Sequence, residues 1–358
     1  MENIFSYRLM SARKMAGVSL QGLSDKLGNA VTKQSLNKYE QGIMKPDSKL
    51  LIALAGALGV TVDYFYSSPN RLVQLSNVSY RKYASKLSKA EEVSVEEKAK
   101  EGFERYFELE EALNFQEKPE YFKFSKIINS PQDAEEAAKA LRSEWKLGYD
   151  PIPDVVEMLE DKGYKVIEID APDGFDGLKA EINGKPVIVL RKRKSANEDV
   201  VRKRFTALHE LAHHALKFSK TLAEKEEENL CHSFASAVLY PEDMARNELH
   251  KDRFHFYQKE LVLIKERWGI SISAIFSRAK QLGIINDYVY RKFNIGFKKR
   301  GFHLPDNEPG RFLSREKPVR FERLIYLGLA KEMISVNDAA YFSGKSLGEF
   351  RKQLQEFV

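Results

Sequence analysis

Two histidines and a glutamate lie close together in His209-Glu210-Leu211-Ala212-His213, which has the pattern HExxH. Residues four apart on a helix share one face, so His209 and His213 can offer two imidazole ligands to one metal ion. Glu210, one position round the helix, lies beside the open coordination position. There it can accept a proton from a water that the metal has acidified. The spacing therefore predicts a zinc peptidase site with Glu210 as its general base.

The surroundings of the motif favour this interpretation over a solvated helix face with incidental histidines. Apolar residues interleave with the motif inside a helix predicted over about 199–218. Three strands are predicted before it, over 165–170, 177–182 and 186–190, and Asn183-Gly184 between the last two is a strong hairpin signal. In zincins, such a hairpin supplies the strand that pairs with an extended peptide substrate.

A catalytic zinc usually takes three protein ligands, and the next helix, predicted over about 223–240, offers several glutamates. Most of this Glu/Lys run must be solvated. Glu228, His232 and Ala235 share a face that continues to Val238 and Leu239, which should pack inward. Glu228 is therefore the acidic residue best placed to point into the core.

The region around the motif resembles the ImmA/IrrE family of metallopeptidases over about residues 130–245. The matching residues are Trp145–Gly148 with Pro151-Ile152-Pro153, Phe175–Leu178, Pro186–Val189, Arg204–Thr206, the HExxH motif, Glu228, Phe234-Ala235 and Pro241. The resemblance implies Zn²⁺ as cofactor. It also implies that the glutamate at a fixed distance before Pro241, which is Glu228, is the third zinc ligand. Ala212 departs from the glycine that members often have there.

His232 is a second departure, because many members have asparagine at this position. Three interpretations stay open for it: a residue that supports a ligand, an alternative ligand, or a satisfied core histidine. The ligand is the least favoured of these, since Glu228 already fills that role, and the core histidine is the most favoured. We keep His232 as a candidate supporting residue.

The first 68 residues are predicted to form short helices separated by tight turns. Two of these helices, Ser19–Leu27 and Thr32–Gln41, have the arrangement of a helix-turn-helix. The segment holds eight Lys/Arg and five Asp/Glu, a net charge of +3. A small helical bundle that binds protein is the alternative. The side chains suited to base edges and phosphates are Thr32, Lys33, Gln34, Ser35, Asn37 and Lys38.

The same segment resembles the Xre family of phage-repressor-like domains over its whole length. The residues that carry the resemblance are Arg8 with Arg13, Leu23–Leu27, Gln34, Lys38–Gly42, Lys45-Pro46 and Leu54–Gly59. The resemblance implies an operator in double-stranded DNA as partner and binding as a homodimer. Leu20, where relatives often have glutamine, and the longer turn at Asn29-Ala30 depart from the family pattern.

The 358 residues suggest two to three domains, and their pattern predicts a mainly α protein with a small β-sheet. We expect a helix-turn-helix domain over 1–68, a linker with a helix over 69–129, an α+β zincin-like domain over 130–245 and a helical region over 246–358. The single cysteine, Cys231, excludes a disulfide framework. No signal peptide or membrane-spanning run is recognisable, so a cytoplasmic location without membrane contact is expected.

These features together predict a DNA-binding transcriptional regulator with a built-in zinc metalloendopeptidase that cleaves a regulatory protein. The family resemblance suggests that this substrate is a repressor. The alternative is an antitoxin or sensor-regulator beside a toxin, in which the metal domain binds a partner and cleaves little or nothing. A third hypothesis is self-cleavage between residues 69 and 130, which would separate the DNA-binding domain from the peptidase.

Overall fold

The computed structural model describes residues 4–67, 73–82, 87–116, 118–193, 200–251, 253–304 and 307–355. Within these ranges it contains sixteen α-helices and six short strands. The predicted fold class is confirmed: a helical head comes first, then an α+β unit, then a helical C-terminal segment. None of the helices in the described part of the chain is long and apolar enough to cross a membrane.

The head is a compact set of short helices around its own core. Helices α1 to α4 are followed by a 3-10 helix, and their bounds are Ile4–Met15, Leu20–Lys26, Lys33–Glu40, Ser48–Leu58 and Asp63–Tyr66. The side chains of Ser19 and Thr32 cap α2 and α3. The sequence Lys45-Pro46-Asp47-Ser48 predicts a turn with Ser48 as the cap of α4, and this prediction of the cap is wrong. The carboxylate of Asp47 accepts the Leu50 N–H at 2.8 Å and takes that role instead.

A strand that the sequence pattern did not predict follows the head. Residues 69–85 lack periodicity and were expected to be a linker, yet Ser76–Lys82 forms strand β1. Residues 69–72 and 83–85 of that stretch lie outside the described residues. Helix α5 spans Lys89–Ala112, close to the helix over about 88–113 that the sequence pattern predicts, and begins at a capping box between Ser88 and Glu91.

The α+β unit is built on a four-stranded mixed sheet in the order β1-β4-β5-β3. Strands β3 to β5 are Lys165–Ile169, Phe175–Ile182 and Lys185–Arg191. The predicted hairpin joins β4 and β5, with φ of 51° at Asn183 and 74° at Gly184. Two short parallel strands, β2 (Ile127–Ile128) and β6 (Lys217–Phe218), form a second sheet.

Helices α6 to α9 are Pro131–Glu144, Val155–Asp161, Val201–Ala215 and Glu224–Leu239. Helix α8 packs on β4 and β5, and α9 packs between α8 and α6. Because α8 and α9 carry the predicted ligands, this packing sets how the ligands meet.

The C-terminal segment contributes to two different cores. Helices α10 to α16 are Glu242–Leu249, Gln258–Trp268, Ile272–Gln281, Asp287–Lys299, Arg320–Ala330, Val336–Phe342 and Leu347–Gln355. The buried residues of α10 to α13 join the core of α6 to α9. Those of α14 to α16 join the core between α5 and the sheet. The sequence also predicts loops near Pro305 and Pro309; Pro309 lies between α13 and α14, and Pro305 lies outside the described residues.

Candidate metal centre and helix-turn-helix surface

Helix α8 places the HExxH motif against the sheet. His209 and Glu210 are completely buried, and Leu211, which follows them, is buried as well. The helix approaches β4 at Gly177, where a Cβ atom would stand 3.1 Å from Oε1 of Glu210 and 2.6 Å from Cγ2 of Thr206. Any larger residue at position 177 would push α8 away from β4. The glycine therefore allows Glu210 to lie directly against the strand.

Glu228 on α9 meets both motif histidines. Its Oε2 lies 3.1 Å from Nε2 of His209, and its Oε1 lies 3.1 Å from Nε2 of His213. The two Nε2 atoms are 3.2 Å apart. The structure thus brings together the three residues that were predicted as ligands, and they form a group that could hold a metal ion.

These separations suit an ion of the size of zinc. Zn–N and Zn–O bonds of about 2.0–2.2 Å in a tetrahedron put neighbouring ligand atoms roughly 3.3–3.6 Å apart. The observed separations of 3.1 to 3.2 Å lie close to that range. Two imidazoles and one carboxylate are also among the ligand sets that catalytic zinc takes. The residues present therefore fit the ion that the resemblance implies.

The electrostatics of the three residues favour a bound cation. Burial opposes ionisation of Glu228, but hydrogen bonds from His209 and His213 outweigh it and hold its pKa well below the ordinary value. Burial likewise opposes protonation of His213, but the hydrogen bond that it donates to Glu228 and the charge of Glu210 raise its pKa. The negative charges of Glu228 and Glu210 therefore stabilise a cation that lies between the imidazoles of His209 and His213.

Two residues face the other ring nitrogen of His213. Oε1 of Glu227 and Sγ of Cys231 each lie 3.6 Å from its Nδ1. Cys231 is completely buried, and burial raises the pKa of its thiol, which disfavours the thiolate that a nucleophile needs. Glu227 was not among the predicted site residues, because it lies in the Glu/Lys run that was expected to be solvated. The available signal was the spacing, because residues 227 and 231 lie one turn apart on the same helix.

His232 packs against a predicted ligand instead of entering the metal group. Its ring centroid lies 4.8 Å from that of His209 and 5.8 Å from that of Phe205. His214, next to the motif, is buried and its Nε2 lies 3.1 Å from the Val187 carbonyl oxygen. Burial lowers the pKa of His214 to about 3, so it is a neutral structural histidine that donates to this carbonyl.

On the head, α3 presents most of the predicted DNA contacts to solvent. Exposed side chains are those of Thr32, Lys33, Gln34, Asn37 and Lys38. Ser35 is half-buried, and its hydroxyl lies 3.1 Å from that of Thr32. On the opposite face of the helix, Leu36 and Tyr39 pack into the core of the head.

An ion pair fixes α3 to α1. Arg13 donates to both carboxylate oxygens of Glu40, at 2.6 and 2.9 Å, and to the Val18 carbonyl oxygen at 3.0 Å. Bidentate pairs of this kind set orientation as well as distance. The polar face of α3 is therefore held outward by contacts on its other side.

Comparison with known proteins assigns the head. Residues 9–65 match the helix-turn-helix family. The chain is 35% identical over 75 residues to the SPbeta prophage-derived uncharacterized HTH-type transcriptional regulator YonR of Bacillus subtilis (strain 168), a match that covers 21% of this chain and 68% of that protein. This chain belongs to the helix-turn-helix transcriptional regulators. It is also 38% identical over 61 residues to the uncharacterized HTH-type transcriptional regulator YqaE of the same organism, which covers 17% of this chain and 51% of that protein.

A second part of this regulator matches another family. Residues 159–280 match the IrrE N-terminal-like domain. The match spans the three residues of the candidate metal group as well as Glu210, and it ends within α12. The regulator therefore combines a helix-turn-helix head with an IrrE-like domain.

Proposed function

We propose that the IrrE-like domain of this regulator is a zinc metalloendopeptidase that cleaves a regulatory protein, most simply a repressor-like partner. One observation carries the proposal: Nε2 of His209, Nε2 of His213 and the Glu228 carboxylate lie 3.1 to 3.2 Å from one another. We infer that these three residues hold Zn²⁺ and that Glu210 is the catalytic residue.

The residues of the chain would divide the work of hydrolysis. A bound zinc ion would supply Lewis acidity, which lowers the pKa of water and polarises a peptide carbonyl. Glu210, buried against Gly177, would take the proton from the attacking water and pass it to the leaving amine. Glu227, Cys231 and His232 would hold the two imidazoles in the orientation that binding requires.

We propose that the head binds an operator in double-stranded DNA through α3, as a homodimer on two half-sites. The exposed polar side chains at the start of α3 and the net charge of +3 on residues 1–68 support this. A regulator with this role acts where the DNA is, so we propose a cytoplasmic location.

We further propose that residues 1–68 form one domain and that residues 130–245 form the centre of the peptidase domain. The head has a core of its own, made of residues between Phe5 and Phe65. The core around α8 and α9 draws instead on residues from Phe122 to Phe297. This continuity supports a peptidase domain that recruits α10 to α13.

Measurements of the zinc content and of protein cleavage together test the proposed peptidase function. We expect about one zinc per chain by elemental mass spectrometry, loss of zinc in His209→Ala and Glu228→Ala, and retained zinc without cleavage in Glu210→Gln. Proteins encoded by neighbouring genes are the candidate substrates, incubated with and without chelator. A purified chain without zinc, or a Glu210→Gln variant that cleaves like the wild type, would contradict the proposal. Zinc binding without any cleavage, both by the intact chain and by a chain in which residues 76–82 are replaced by a Gly/Ser segment of equal length, would favour the alternative, a regulator whose metal domain only binds its partner.

A further inference from the structure

Strand β1 lies on the outer edge of the sheet, against β4. The two strands are antiparallel, and the paired residues are Ser76 with Glu181, Ser79 with Lys179, Tyr80 with Leu178, Arg81 with Gly177 and Lys82 with Phe175. Without β1, β4 would be the edge of a three-stranded sheet. Such an edge presents unpaired N–H and C=O groups that bind an extended polypeptide as an added strand.

This edge runs past the candidate catalytic residue. Gly177, which pairs with Arg81, is also the residue of β4 that lies against Glu210, with the Glu210 Oε1 atom 3.1 Å from the position of a Cβ. A polypeptide that paired with β4 would therefore pass next to Glu210 at this point. In the structure, β1 occupies this position beside β4.

Further contacts hold β1 where it lies. The Ser76 hydroxyl donates to the Glu181 carbonyl oxygen at 3.1 Å, and the Asn77 amide donates to the Glu181 carboxylate at 3.0 Å. Just before the strand, Val73 is buried in the core between α5 and the sheet. In the chain, β1 follows the head and precedes α5, so both of its ends are covalently connected to these elements.

The head itself is docked on α5. Arg8 of α1 donates to Glu101 at 2.8 Å and to Glu104 at 3.1 Å, and the hydroxyl of Ser11 donates to Glu97 at 3.0 Å. These groups are buried. Because the head and α5 are joined in this way, the two ends of the segment that carries β1 are fixed relative to each other.

We propose that β1 is an intramolecular occupant of the edge of β4 beside Glu210, and that an extended polypeptide from another molecule binds there only after β1 has left. This inference rests on the proposed peptidase function and adds its regulation. A short tether gives a strand an effective concentration in the millimolar range. An external segment of equal intrinsic affinity is therefore excluded at ordinary protein concentrations.

Peptide binding to full-length variants tests the proposal without requiring turnover. All variants carry Glu210→Gln. In one, Ser79→Pro with Tyr80→Pro removes the strand's N–H donors at two successive positions, of which one must point toward β4. Its matched control carries Ser79→Ala with Tyr80→Ala, which keeps the backbone donors. The probe is a fluorescein-labelled peptide of residues 74–82, followed by fluorescence anisotropy.

We expect the proline variant to bind this peptide on the order of 100-fold more tightly than the chain with intact β1, because the competing tethered strand is gone. The alanine control should bind like the intact chain. Hydrogen exchange should show amides of residues 177–181 losing protection in the proline variant alone. If the proline variant does not fold, an equal-length Gly/Ser replacement of residues 76–82 takes its place.

Equally tight binding by the intact chain would overturn the proposal, since the edge would then be free. So would the absence of binding when hydrogen exchange shows β4 released. Scission of the wild-type chain within residues 76–82 that depends on Glu210 would support it, because it requires β1 on this edge. If the chain holds no zinc but the anisotropy changes as expected, the proposed peptidase function is wrong. The inference that β1 occupies the edge of β4 is then still supported.

Discussion

Arg204 and Glu316 form an ion pair in which neither side chain is exposed, although they lie 112 residues apart. Arg204 is in the first turn of α8, ahead of the HExxH motif. Its guanidinium also donates to the carbonyl oxygens of Ile152 at 2.6 Å, Pro153 at 3.1 Å and Gly269 at 3.1 Å. The start of the helix that carries the motif is thus fixed from several sides at once.

Glu316 ties the C-terminal segment to α7 as well. Its carboxylate accepts the backbone N–H groups of Val155 at 3.1 Å and Val156 at 3.2 Å, at the first turn of the helix. Residues 246–358 had no role that the sequence could assign. One role is now visible, because this segment supplies the counterion that holds α8 and α7 together.

We expect Glu316→Ala to lower the free energy of unfolding by about 3–5 kcal/mol, because Arg204 would be left charged and buried without its partner. Urea unfolding followed by circular dichroism measures this. Glu322→Ala, at an exposed position on α14, is the control and should change stability by less than about 0.5 kcal/mol. A loss for Glu316→Ala no larger than that of the control would show that the pair does not hold the domain together.

Glu227→Gln should weaken zinc binding by roughly 10-fold, at the low end of the 10- to 100-fold that the loss of a group supporting a ligand costs. The physical reason is that the Glu227 carboxylate faces Nδ1 of His213 and favours the orientation in which Nε2 points to Glu228. Competition with a chromophoric chelator gives the affinity. Glu224→Gln, an exposed neighbour on α9, should leave it unchanged. Identical affinities for both variants would assign Glu227 to the solvated surface.

Substitutions on α3 should separate phosphate contacts from base contacts. Lys33→Ala and Lys38→Ala should each reduce the slope of log affinity against log salt concentration by about 1, because each removes one cation from the exposed face. Gln34→Ala should instead relax sequence preference by about 1–3 kcal/mol at one base pair. Lys331→Ala, which is exposed near the end of α14, is the charge-matched control. Fluorescence anisotropy on operator and non-operator duplexes measures all four variants, and equal effects for Lys33 and Lys331 would contradict the placement of α3 on DNA.

Stability should depend on pH through Glu160. Burial raises the pKa of this glutamate from 4.5 to about 7, although its carboxylate accepts the backbone N–H groups of Val319 at 2.9 Å and Arg320 at 3.1 Å. Since the folded-state pKa lies above the unfolded one, the contribution of Glu160 is complete below pH 4.5. It falls as the pH rises and is lost above about pH 7.

The matching experiment compares the wild type with Glu160→Gln in urea at several pH values. The free energy of unfolding of the wild type minus that of Glu160→Gln should fall by at most about 3 kcal/mol as the pH rises from 4.5 to 7, because only the wild type loses the contribution of a protonated Glu160. The subtraction removes the contributions of groups that both chains share, including Glu316. If the free energy of unfolding of the wild type minus that of Glu160→Gln rises with pH, Glu160 is stabilised as a carboxylate instead.

Several features of this protein follow from short stretches of sequence. The four-residue spacing of His209 and His213 puts both on one helix face whatever surrounds them, because the helical period is local. The left-handed conformations of Asn183 and Gly184 direct a hairpin in the same way. Ser19 and Thr32 cap their helices through bonds to residues three positions away. Such features need no distant partner, and the predicted helix face and hairpin agree with the structure.

Other features depended on residues far apart in the chain. β1 has little periodicity of its own and exists as a strand because β4, about a hundred residues later, supplies its hydrogen bonds. The pairing of Arg204 with Glu316 likewise joins segments that the sequence keeps separate. Local patterns thus determined which residues could form a metal group, whereas only packing between distant segments decided that β1 lies beside Glu210 and what holds α8 in place.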